Sequence, residues 1–148
     1  MAFVVIKFCG RGWVSYFCCM ATNAIQITDD EVLTCVYRTT ANAALQRGDG
    51  AHVATVDNVL LLGQFLKEGK LLLNSALGRY YAGDLRYVVP SEWAGSADEI
   101  KNLSVAFLAN YVTAKWLELY STGERYIVVA NEALNEVKLI LSKRNKPS

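Results

Sequence analysis

The residue types that carry most protein chemistry are scarce in this 148-residue chain. His52 is the single histidine, beside Gly50 and Ala51 in a stretch that reads as a loop. A general base or metal ligand needs a partner at fixed spacing, and none accompanies His52, so it reads as an ordinary loop residue. Cys9, Cys18, Cys19 and Cys35 form no C-x-x-C pair. That spacing fits neither a zinc site nor a disulfide framework, and it predicts free thiols in a reducing cytoplasm. The clustered carboxylates, Asp29-Asp30-Glu31 and Asp98-Glu99, sit where first helical turns are expected and so have a structural reason to be acidic. No H-E-x-x-H, G-x-S-x-G, Walker-type or dinucleotide glycine motif occurs, and Gly48 with Gly50 is too little for a phosphate cradle. The expectation is a protein that is not an enzyme, with no cofactor and no metal.

Charge is nearly balanced. The formal net charge is +1 with 20% charged residues, so no global field argues for nucleic acid or a membrane surface. Two local basic features remain. Arg79, Tyr80, Tyr81, Arg86 and Tyr87 place arginines among tyrosines, a combination able to stack on bases or to anchor a loop on a core. From Lys138 to Ser148 the chain carries Lys138, Lys143, Arg144 and Lys146 and no acidic residue. Such a tail suits the negative end of a helix dipole or an acidic partner surface. Hydrophobic residues reach 53%, compatible with a subunit that buries surface against partners.

The elements that position these residues are read from periodicity. From Ser96 to about Tyr120, Ile100, Leu103, Phe107, Tyr111, Val112, Trp116 and Leu117 recur at helical spacing. Around them the apolar face is too wide for one neighbour to cover, which predicts a central helix packed on at least two sides. Ser96 and Glu99 have the S-x-x-E form of a capping box and mark its start. Thr28 with Glu31 opens an earlier helix in the same way, running to about Leu45 with Val32, Leu33, Val36, Tyr37, Ala44 and Leu45 inward. Arg47-Gly48-Asp49-Gly50 stops it, and the RGD tripeptide reads as a turn. Asp57 is the expected N-cap of a second helix to Leu77, with a bend near Gly69. Arg79 to Pro90 reads as an aromatic loop packed over the bundle by its tyrosines. After Ser121-Thr122-Gly123 a last helix from about Glu124 to Ser142 should run antiparallel to the central one. The expected class is mainly α, a bundle of about four helices with an aromatic loop between the second and third long ones.

Residues 1–24 differ in character from residues 25–148, which form the helical domain with its basic tail. The apolar runs Ala2–Phe8 and Trp13–Met20 flank Cys9-Gly10-Arg11-Gly12, and one reading is a β-hairpin. A signal peptide is disfavoured because Lys7 and Arg11 interrupt its apolar stretch. A third reading takes Met20-Ala21-Thr22 as the natural start, with the first nineteen residues an upstream extension that contributes little to stability.

In order and spacing, the chain from about Ile27 to Ser142 resembles the head-tail connector, or adaptor, proteins of tailed bacteriophages. The resemblance is carried by Thr28-Asp29-Asp30-Glu31, by Leu73-Asn74-Ser75-Ala76-Leu77-Gly78-Arg79-Tyr80, by Pro90 after a short aromatic loop, by Glu99 through Tyr111, and by Tyr126, Ala130, Leu134 and Val137. These are packing residues, and the apolar segment before Met20 departs from the pattern. The resemblance implies a homo-oligomeric ring of about twelve copies beneath the portal protein, at the head-tail junction of the virion and assembled in the host cytoplasm. It would carry DNA through its centre by transient, sequence-independent contact, present a surface to a tail terminator or stopper protein, and involve no membrane. On that implication Lys143, Arg144 and Lys146 are portal contacts, and Arg79, Tyr80, Tyr81, Arg86 and Tyr87 an inter-subunit or tail-side loop. The alternative is a small helical binding or regulatory module acting as a monomer or dimer.

Overall fold

The computed structural model describes residues 22–47, 52–120 and 123–144. Within them the chain forms β1 (Thr22–Gln26), α1 (Asp29–Arg47), α2 (Val59–Leu77), β2 (Tyr81–Gly83), β3 (Arg86–Pro90), α3 (Ala94–Glu118) and α4 (Glu124–Arg144). The fold is mainly α, a four-helix bundle with a small antiparallel sheet in the order β1-β3-β2.

Capping chemistry sets the helix starts. Thr28 and Glu31 form the expected box at α1, with Thr28 N–H donating to Glu31 Oε2 (2.8 Å) and Glu31 N–H to Thr28 Oγ1 (3.2 Å). Ahead of α2 the cap is Thr55 rather than Asp57. Thr55 N–H donates to Asn58 Oδ1 (2.9 Å), and Asp57 N–H donates to Thr55 Oγ1 (3.3 Å), closing a 3-10 turn that leads into the helix. The Ser96–Glu99 box does not form. Burial of Trp93, whose ring meets Tyr80 edge-on at 5.3 Å, winds the chain early, and α3 begins at Ala94. Ser96 then lies inside the helix, where its Oγ accepts from Arg144 Nε at 2.9 Å.

α3 is the central helix. Ile100, Phe107, Leu108, Val112 and Leu117 are fully buried, and the helix packs against α1, α2, α4 and β1. It stops at Glu118, which leaves Leu119 and Tyr120 exposed rather than in the core. α4 runs antiparallel to it, as the short connection requires, since Ser96 near the start of α3 meets Arg144 at the end of α4. α2 is continuous through Gly69. A Cβ there would stand 3.1 Å from Leu108 and 3.2 Å from Tyr111, so this glycine serves a close α2–α3 approach and not a bend.

Where a loop was expected, residues 81–90 form the β2–β3 hairpin. Its turn uses φ of 144° at Gly83, a conformation that favours glycine, and φ of 52° at buried Leu85. β3 is completed by β1, with Ile25 opposite Tyr87 and Asn23 opposite Val89. The pleat turns Ile25, Tyr87 and Val89 into the core and Gln26 and Arg86 outward. The boundary expected between residues 24 and 25 therefore falls within β1, and the helical unit includes Thr22–Gln26 as a strand. The N-terminal hairpin read over Ala2–Met20, and the start at Met20, lie outside the described residues, as do Cys9, Cys18 and Cys19. Cys35 is a free, half-buried thiol.

Candidate interaction surfaces

Of the contact residues singled out from the sequence, the described ones are brought to one end of the bundle, where the sheet, the end of α2, the start of α3 and the end of α4 meet. Arg79 is exposed over the Tyr80 ring (5.9 Å), Tyr81 is 54% exposed, and Arg86 points outward from β3. Tyr80 is half-buried against Trp93. Tyr87 leaves this set. It is fully buried and its hydroxyl donates to Asn74 Oδ1, so in this fold it is a core residue unavailable to a partner. Burial raises its phenol to about 12, with smaller contributions from Tyr81 and Asp84. Lys143 is exposed in the last turn of α4, Arg144 is held by Ser96, and Lys146 lies outside the described residues. Among the described residues, Arg144 on Ser96 and Tyr80 on Trp93 bring the end of α4 and the hairpin to the same end of α3.

The same end is tied by a half-buried cation. Lys70 Nζ meets Asp29 Oδ1 at 2.9 Å and Asp84 Oδ1 at 3.1 Å, joining α1, α2 and the hairpin turn. Burial lowers the Lys70 pKa, but the hydrogen bonds and charges of the two carboxylates outweigh it and hold the ammonium above its ordinary value. At the other end of α3, His52 is half-buried in its loop and more engaged than a surface residue. Its ring stacks on Tyr120 at 4.0 Å, and its carbonyl accepts from Trp116 Nε1 at 2.7 Å.

Two further surfaces are not legible in the sequence, because exposed and buried apolar residues share the same helices. On α2 the core takes Leu62, Leu66, Gly69, Leu73 and Leu77, one face at helical spacing. The opposite line, Leu60, Gln64, Lys67 and Leu71, faces solvent, with Leu60 85% and Leu71 71% exposed. Leu61 and Leu72 widen this ridge. On the outer side of α3 and α4, Leu103, Val129, Glu132, Ala133, Asn135, Glu136 and Leu139 line a shallow groove of about 520 Å³. A second depression of about 300 Å³ continues it past Glu99, Ile140, Lys143 and Arg144. Amphipathicity counted by residue type could not separate Leu60 from Leu62; only the phase of the helix against α3 does.

Among the described residues no three His, Cys, Asp or Glu side chains come together as a metal site, and no helix is long and apolar enough to cross a membrane. The fold and these surfaces define a small, mainly helical protein with two exposed apolar faces. Compared with known proteins, the chain matches no family model, no curated protein and no solved structure.

Proposed function

We propose that the chain is a structural subunit of a tailed-phage virion, forming a ring between the portal and the tail that extends the DNA channel and docks the next head-completion or tail protein. Its supports are the order and spacing of Thr28–Glu31, Leu73–Tyr80, Pro90, Glu99–Tyr111 and the α4 stripe, and one structural observation. Leucines at 85% and 71% exposure on α2, and a separate apolar groove on α3 and α4, give the subunit two unlike faces. Head-to-tail closure into a ring needs two unlike faces, whereas a twofold dimer needs one self-complementary patch. DNA contact in such a ring is transient and independent of sequence, since a conduit must let the duplex slide. Lys143, Arg144 and Lys146 are the residues assigned to the portal, and Arg79, Tyr80, Tyr81 and Arg86 to a neighbouring subunit.

The test is the mass of the purified protein, alone and mixed with a candidate portal, by native mass spectrometry. The expected result is a large closed oligomer, or a monomer that joins the portal at one copy per portal subunit. Alanine at Lys143, Arg144 and Lys146 together should weaken portal loading. A stable monomer or dimer indifferent to portal would overturn this reading in favour of a small helical binding or regulatory module.

A further inference from the structure

The two unlike faces match each other in length and in charge. Leu60 and Leu71 are eleven residues apart on α2, about 16 Å along the axis. Val129 and Leu139 are ten residues apart on α4, about 15 Å. On each face the apolar ends bracket charge of one sign; Lys138, between Val129 and Leu139 in sequence, is turned roughly 180° from Val129 to the far side of α4. The ridge carries exposed Lys67 on its line, while Glu68 is turned aside to accept a hydrogen bond from Tyr111 (3.2 Å). The groove carries exposed Glu132 and Glu136.

The spacing places the charges opposite each other in either orientation. Laid parallel with Leu60 at Val129, the ridge puts Lys67 at Glu136, seven residues on in both helices. Laid antiparallel with Leu60 at Leu139, it puts Lys67 at Glu132, again seven residues along. The two faces also belong to different flanks of the bundle. α3 meets α2 through Leu108 and Tyr111, and its Leu103, which lines the groove, is turned from them by roughly 140° and 80°. A contact between these faces is therefore heterologous, and it propagates from copy to copy.

We infer that the occupant of the α3–α4 groove is the α2 ridge of a second copy of this chain, with Lys67 of one copy facing Glu132 or Glu136 of the next. The inference rests on the proposed ring only for closure; the pairwise contact is a property of the chain alone.

The experiment uses two full-length variants, Lys67→Glu and the double substitution Glu132→Lys with Glu136→Lys. All three positions are exposed, so each variant should keep the helical signal and unfolding midpoint of the parent. Self-association is read by sedimentation and light scattering. Each variant alone sets like charges against each other at every contact, and its association should weaken roughly tenfold or more. Mixed in equal amounts, the two restore opposite charges at every contact of an alternating assembly, and association should return to the parent level. Raised salt should weaken the parent and the mixture alike.

A mixture that stays as dissociated as its components, or a parent that remains monomeric at the highest soluble concentration, would overturn the inference. If the mixture reassembles but the protein ignores a portal, the contact stands and the connector reading falls. If a portal loads the protein in a ring that mixing cannot rescue, the connector reading stands and the contact falls.

Discussion

The α3–α4 hairpin and the sheet-capped end of the bundle are joined by opposite means. At the hairpin the link is shape. Gly123 is buried where a Cβ would lie 2.2 Å from the Ala114 carbonyl oxygen and 3.0 Å from the Glu118 nitrogen, and its own carbonyl accepts from Tyr126 and Ile127 N–H (3.1 and 3.3 Å). At the sheet end the link is polar: Lys70 between Asp29 and Asp84, and the Tyr87 hydroxyl on Asn74. A joint made of shape is sensitive to one added methyl and indifferent to pH. A joint made of titratable groups is the reverse. The largest effect should therefore come from Gly123→Ala, which must push backbone from backbone at the α4 entry. A loss of about 3 kcal/mol in urea unfolding is expected, the upper part of the overpacking range. An unchanged midpoint would mean that the hairpin has room that its geometry denies.

The polar joint should fail in alkali, and the sign follows from Tyr87. Below pH 10 the phenol is protonated in both states and stability does not depend on it. Between its ordinary value of 10 and the native value of about 12, the unfolded chain releases the proton while the folded one keeps it. The folded state then binds more protons than the unfolded one, so stability falls as pH rises, by roughly 3 kcal/mol once both states are ionised. Lys70, also raised, adds in the same direction: its contribution is complete below its ordinary 10.5 and fades as pH climbs through the native value. Tyr87→Phe should cost about 1 kcal/mol at pH 8 through the lost hydrogen bond and should flatten the decline between pH 10 and 12. Equal slopes for parent and variant would move the alkaline sensitivity away from this joint.

The contrast also explains what could be read without coordinates. Helices announce themselves locally, and the Thr28–Glu31 box, the stripe from Ile100 to Leu117 and the antiparallel α4 all follow from residues within one or two turns of each other. The sheet does not. β3 is stabilised by β1, sixty or more residues away in sequence, and TNAIQ is too short to show a period by itself. The arginine and tyrosine run was legible as extended and aromatic, but whether Tyr87 or Tyr81 faced solvent depended on that distant pairing. The surfaces were hidden for a related reason. Leu60, Leu71 and Leu72 look like Leu62, Leu66 and Leu73 in composition, and their exposure is decided by which side of α2 meets Leu108 and Tyr111.

The smallest effects sharpen the comparison inside α2 itself, where two glycines differ only in what stands before them. A Cβ at Gly63 meets nothing within 4 Å, so Gly63→Ala should gain about 0.5–1 kcal/mol from reduced unfolded-state freedom and better helix propensity. At Gly69 the same methyl would press on Leu108 at 3.1 Å and Tyr111 at 3.2 Å. Both obstacles are side chains, so the seam can give by a few tenths of an ångström, and the packing cost should cancel most or all of the propensity gain. The series Gly63, Gly69, Gly123 thus grades one added methyl against open space, side chain and backbone. Unfolding midpoints should rank in that order, from stabilised through near-neutral to strongly destabilised. If Gly69→Ala gained as much as Gly63→Ala, the α2–α3 seam would be loose, and shape would govern only the α3–α4 turn.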